Sequence, residues 1–118
     1  MAEIKRVSWS AVTLEHLSDT MSRQMVYGDR AMVAKIFLKK GAVVPPHKHE
    51  NEQLSWVVDG VLEFTVAGEK LIVHSDEILT IPSMAEHSVV ALEDTYDVDV
   101  FSPIRQDWIR GEDSYLRT

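Results

Sequence analysis

The sequence predicts an all-β sandwich or small barrel, and three observations predict it. Short runs of β-branched and aromatic residues recur from about residue 23 to residue 101; glycine or polar breaks separate most of them; and no long helical period of apolar residues lies between them. Short strands at such spacing pack as facing sheets or close on themselves.

Residues 1–22 mix short apolar pieces with Ser, Thr and Asp, which suits an edge strand or two joined by turns. Residues 23–28 read as a strand stopped at Gly28-Asp29, and residues 31–39 as a clearer one ending at Lys39-Lys40-Gly41. Pro45-Pro46 shapes the next stretch, because each ring fixes its own φ and pushes the preceding residue toward extended backbone. Residues 53–58 and 61–66 flank Asp59-Gly60, a dipeptide that favours tight hairpin turns, so these two strands are expected to pair with each other. Further strands are expected at residues 70–73, 78–81, 87–92 and 96–101. From Ile104 to Thr118 the chain turns polar, with Trp108, Ile109, Tyr115 and Leu116 scattered along it. That tail is expected to form a short helical turn or to pack loosely.

Composition bounds the function. A chain of 118 residues with 45% hydrophobic content is expected to form one domain with a real core. No apolar run approaches the ~20 residues of a membrane helix, and the first residues lack a signal-peptide core, so a cytoplasmic location is expected. The absence of cysteine excludes disulfides and thiolate metal ligands. A net charge of −7 without a basic stripe argues against nucleic acid, and it means that an anionic substrate would need a local cation.

The chemistry concentrates in one stretch. In an extended strand alternate side chains share a face, so His47 and His49 can point the same way while Lys48 points oppositely. Two neighbouring imidazoles are half a metal site. Gln53, at the start of the next strand, can offer a third group, and His87, just past Ile81-Pro82, a fourth. His16 has no partner at ligand spacing and reads as an ordinary surface or satisfied histidine, and His74, at a turn, as a solvated residue. Further on, alternation puts Asp97, Asp99 and Phe101 on one strand face, with Val98 and Val100 on the other. Acids on an interior face cost free energy unless they serve a purpose or lie at a wet end.

Gly41, His47, His49, Gln53 and Gly60 match the first motif of the cupins, with glutamine where the family has glutamate; Pro82 and His87 match the second, where Asp76 and Met84 replace its glycines and Ala91 its asparagine. The chain therefore resembles a single-domain cupin. The resemblance implies a jelly-roll β-barrel with its core at about residues 23–103, and one divalent metal held by His47, His49, Gln53 and His87. Nitrogen-rich ligation suits Zn, Ni, Fe, Co or Mn. Three neutral imidazoles and an amide leave the ion's charge uncompensated, which favours Lewis-acid chemistry over the support of higher oxidation states. From Val12 to Asp113 the chain is similar to the pectin-degradation subfamily of cupins, whose Asp-x-Phe-x-x-x-Arg set falls on Asp99, Phe101 and Arg105. That similarity implies ring opening of 4,5-unsaturated monouronates to 5-keto-4-deoxyuronate, with Asp99 moving protons, Arg105 pairing with the substrate carboxylate and Phe101 walling the pocket.

Two other readings stand beside it. A metal-dependent dioxygenase would use the same histidines and would be identified by redox-active metal and oxygen consumption. A sugar-acid binding module would keep the barrel without turnover, against which the retention of Asp99 beside Arg105 argues. A homodimer is also expected, because Leu54, Trp56 and Val58 would lie opposite Gln53, and Val98 and Val100 opposite Asp99, leaving an apolar sheet face to cover.

Overall fold

In the computed structural model, which describes residues 3–117, ten strands form two antiparallel sheets. They are β1 (Glu15–His16), β2 (Met21–Tyr27), β3 (Met32–Leu38), β4 (Val43–His47), β5 (Glu52–Asp59), β6 (Val61–Val66), β7 (Glu69–His74), β8 (Glu77–Ile81), β9 (His87–Ala91) and β10 (Thr95–Ser102). One sheet runs β1-β2-β3-β10-β5-β8 and the other β4-β9-β6-β7. From β3 onward the chain crosses between the sheets at every connection except β6 to β7, which is jelly-roll topology. The sheets face each other without closing into one hydrogen-bonded barrel. Met1, Ala2 and Thr118, at the ends of the two predicted terminal segments, lie outside the described residues.

Strand alternation delivers the core. β3 buries Met32, Ala34, Ile36 and Leu38 on one face, and Val57, Leu62, Phe64, Val89 and Ala91 meet them from both sheets. Phe64 is 1% exposed, so its truncation to alanine would cost about 3–5 kcal/mol. β4 carries Pro45-Pro46 and lies at the edge of its sheet, where a missing N–H leaves no gap in a ladder.

The hairpin expected at Asp59-Gly60 is not there. β5 pairs with β10 and β8, whereas β6 pairs with β7 and β9, so the chain turns a corner from one sheet to the other. Gly60, at φ 118°, packs so tightly on Thr95 that a Cβ would collide with its hydroxyl and stand 2.7 Å from the backbone oxygen of Asp94. The true hairpin in this region joins β6 to β7 through Ala67-Gly68, both at positive φ. Asp76 and Met84 also adopt positive φ, 67° and 64°. These side chains therefore occupy the left-handed backbone positions that glycine fills most cheaply.

The tail is anchored rather than loose. After the cis Ser102-Pro103 bond it forms a one-turn helix, α1 (Gln106–Ile109), and a 3-10 turn at Ser114–Leu116, burying Trp108 and Leu116 against the core. Arg23 on β2, fully buried, holds Asp113 at 2.9 Å and Glu15 at 3.1 Å, and Asp113 accepts a hydrogen bond from Arg117 Nε at 2.8 Å. The guanidinium carbons of Arg23 and Arg105 each lie 4.5 Å from the Trp108 ring centroid. The outer face of the larger sheet exposes Leu54, Trp56, Ile78 and Val100, with Val58 and Val98 half-buried. Among the described residues no helix is long and apolar enough to cross a membrane.

Candidate metal centre

At one end of the space between the sheets the apolar core gives way to polar groups. His47 ends β4 and sits opposite His87, the first residue of β9. His49 lies two residues beyond β4, in the connection to β5 rather than on the strand. The three imidazoles offer ligand atoms all within 4.8 Å of one another, so they can hold a metal ion. Gln53, 5% exposed, comes from the inner face of β5, and its Oε1 stands 3.2 Å from His49 Nε2.

The hydrogen bonds fix the tautomers. His47 Nδ1 lies 2.9 Å from the Pro45 carbonyl oxygen, His49 Nδ1 3.0 Å from that of Asn51, and His87 Nδ1 2.9 Å from that of Ala85. A carbonyl oxygen only accepts, so each Nδ1 must carry the proton and each neutral ring presents a bare lone pair at Nε2. His87 Nε2 is buried without any hydrogen-bond partner. Gln53 donates its Nε2 to Ser55 Oγ at 2.9 Å, which turns its carbonyl oxygen toward the histidines and sets it against the lone pair of His49. Two acceptors facing each other and an orphaned buried nitrogen fit a cation among them, and the donor set suits a divalent transition ion. Burial lowers the pKa of His47 and His49 to about 4, helped by the charge of Arg105 and by the neighbouring histidines, and burial lowers that of His87 also. The rings are therefore neutral at physiological pH, the form that ligates.

The other predicted residues share the cavity. Across the β10–β5 ladder Phe101 lies opposite Gln53, Asp99 opposite Ser55 and Asp97 opposite Val57. Asp99 is 8% exposed and accepts the Ser55 hydroxyl on Oδ1 at 2.7 Å. Phe101 is fully buried and meets the His49 ring edge-on at 5.8 Å. Arg105 also lines the cavity, but its Nε and Nη2 are given to Asp107 at 2.9 and 2.7 Å, and Nη2 donates to the Tyr115 hydroxyl at 2.7 Å. The fork expected to grip a substrate carboxylate is thus held by the chain's own aspartate, leaving Nη1 as the terminal nitrogen outside that grip. His16 and His74 are exposed and stand apart from this cluster, as the sequence predicts.

Several contributors went unread in the sequence. Ser55 links Gln53 to Asp99, and its place two residues after Gln53 on one strand was a usable signal. Asn51 donates to the carbonyls of Pro103 and Ile104 at 2.6 and 3.1 Å, tying the histidine loop to the start of the tail. Tyr115 stacks 4.6 Å from His47 and takes the Trp108 indole N–H at 3.1 Å, and no local pattern announces it. With the tail in place the cavity measures about 50 Å³. That is room for an ion and a water or two, whereas ligand pockets run to ~300 Å³ and above.

The comparisons with known proteins agree with this fold. The family model described as "Cupin domain" matches residues 35–102. The pectin degradation protein KdgF of Dickeya dadantii is 33% identical over 98 residues, spanning 80% of this chain and 89% of the relative. The solved structure of KdgF from a Halomonas species superposes with a TM-score of 0.77 at 31% identity, covering 81% of this chain and 90% of that one. An RmlC-like cupin from Shewanella frigidimarina gives 0.83 at 26% identity, with 91% and 97% covered.

Proposed function

Because the chain belongs to the cupin domain family, we propose that it is a metal-dependent enzyme of pectin or alginate breakdown, opening the ring of 4,5-unsaturated monouronates to give 5-keto-4-deoxyuronate. The observation that carries this reading is that Asp99, Arg105 and four convergent lone pairs line or border one cavity. The similarity to KdgF supplies the substrate class.

His47, His49, Gln53 and His87 would hold the ion. When bound, it would supply a Lewis acid that polarises substrate oxygens. Asp99 removes the proton of the anomeric hydroxyl; the ring carbon–oxygen bond then breaks, its electrons generate an enolate, and Asp99 returns the proton to carbon, so the reaction is an isomerisation. Arg105 turns Nη1 to the substrate carboxylate while Asp107 and Tyr115 hold the rest of the guanidinium still. Phe101 and Trp108 keep that cation between apolar faces, its carbon 5.0 and 4.5 Å from their centroids. A sugar ring exceeds the present cavity, so its admission moves part of the tail outward. We further propose a homodimer through the exposed Leu54, Trp56, Ile78 and Val100 of the larger sheet, a contiguous patch of the kind that marks interfaces; a monomer mass by light scattering would refute it. The test of the activity is optical. The conjugated double bond of the substrate absorbs in the ultraviolet and the keto product does not, so metal-loaded protein should bleach unsaturated galacturonate or its alginate-derived counterpart well above the buffer rate, and bleaching at the buffer rate would remove the uronate reading.

A further inference from the structure

Asp97 has no task in the scheme above, yet it is 3% exposed and lines the same cavity as Asp99. The two stand two residues apart on β10, so the pleat turns both carboxyl groups to the inner face, into one cavity. Around Asp97 the neighbouring strands offer Ile36 and Val57 at its register positions, and its Oδ1 has no hydrogen-bond partner. A carboxylate with a bare oxygen in such surroundings is costly. A carboxylic acid there gives its O–H to Asp99 and leaves bare only a weakly accepting carbonyl oxygen. Burial first, and then the charge of Asp99, holds the Asp97 pKa well above the ordinary carboxylate value.

Apart from the divalent ion that the histidines and Gln53 would hold, the cations near the pair are already engaged by other carboxylates. The titratable and charged groups that line the cavity with the pair are His47 on β4, His87 on β9, and Arg105 and Tyr115 in the tail; Arg23 on β2 lies one strand further, opposite Ile36. The histidines are neutral, Arg105 is bound to Asp107, and Arg23 to Glu15 and Asp113. Neither carboxyl bonds directly to the donor set, because Ser55 stands between Asp99 and Gln53.

We propose that Asp97 is a positioning residue for the reaction: as a neutral acid it donates its hydrogen bond to Asp99 and, with Ser55, fixes the orientation of the Asp99 carboxylate. The inference rests on the acid–base role of Asp99 given above. The Asp97 proton is not consumed; the substrate proton passes to Asp99 and on to carbon, and the pair ends each cycle with the one proton it began with. Ionising Asp97 at high pH sets two carboxylates against each other and displaces Asp99, which gives the activity an alkaline limit.

Three measurements decide it. Asp97→Asn keeps a donor in the same place but cannot titrate, so it should hold kcat within a few-fold and extend activity to higher pH; an unchanged alkaline limb in this variant overturns the proposal. Asp97→Ala removes the donor and should lower kcat on the order of tenfold or more with KM and metal content little changed, whereas a wild-type kcat and pH profile overturns it. Should the alanine variant not fold, the asparagine profile decides alone. Independently of any substrate, carbon-13 NMR of zinc-loaded protein labelled at aspartate should show one carboxyl still protonated at neutral pH and absent from Asp97→Asn; its absence from wild type overturns the proposal. A protein with that signal but no uronate turnover refutes the uronate reading and leaves the carboxyl pair standing.

Discussion

The cavity is built by two regions that obey different rules. Its strand-borne half, His47, Gln53, His87 and Asp99 with the adjoining His49, is placed by pleat and register, and each ring is aimed by a carbonyl two residues away in sequence. Its tail-borne half, Arg105, Trp108 and Tyr115, is placed by pairs that join distant parts of the chain, above all Arg23 with Asp113. The first half follows from the sheets themselves, whereas the second depends on ion pairs and stacking that tie the tail to β2. Breaking each half should therefore produce different failures.

The largest effect belongs to the strand half. His49→Ala or His87→Ala should lose the ion by elemental analysis and with it all activity, while full occupancy in either variant would remove the metal assignment. Gln53→Glu should keep or tighten the ion, because it adds a charge, and yet slow turnover by weakening the Lewis acid. Next comes Asp99→Asn, expected to lower kcat on the order of 10²-fold with metal content intact. Arg105→Lys should mainly raise KM, on the order of tenfold, because an ammonium cannot keep the Asp107 fork and present a further donor at once; steady-state kinetics separates the two outcomes.

The pH behaviour sharpens the same division. His47 and His49 have folded pKa values lowered from 6.5 to about 4, so between these limits the unfolded chain binds more protons than the folded one. Metal-free protein should hold this part of its stability above pH 6.5 and lose it as pH falls toward about 4. Melting curves across that range check the sign, and a flat profile would contradict neutral, buried rings. The smallest effect belongs to the rim of the tail: Arg117 is 38% exposed in its pair with Asp113, so Arg117→Ala should cost less than about 1 kcal/mol. Hydrogen exchange should nevertheless quicken in residues 106–116 and not in the strands.

What the sequence disclosed follows the same line. The clustering of His47, His49 and His87, with Gln53 beside them, was legible because motif spacing is local, and the inner face of Asp97, Asp99 and Phe101 followed from alternation alone. Asp76 and Met84, which stand where the motif has glycines, adopt the positive φ that glycine fills most cheaply. Asp59-Gly60 misled because a dipeptide specifies a turn and not the sheet the chain enters next; only the packing of Gly60 on Thr95 decides that. Arg23, Trp108 and Tyr115 carried no signal, since an arginine among strand residues and two aromatics in a polar tail become a stack only when β2 and the tail meet.

The most direct test of the whole account is one optical assay run on three preparations of the same protein: as loaded with a divalent metal, after removal of the metal by a chelator, and after its return. The first should bleach unsaturated galacturonate rapidly, the second only at the buffer rate, and the third should recover. Undiminished bleaching by the stripped protein would contradict it.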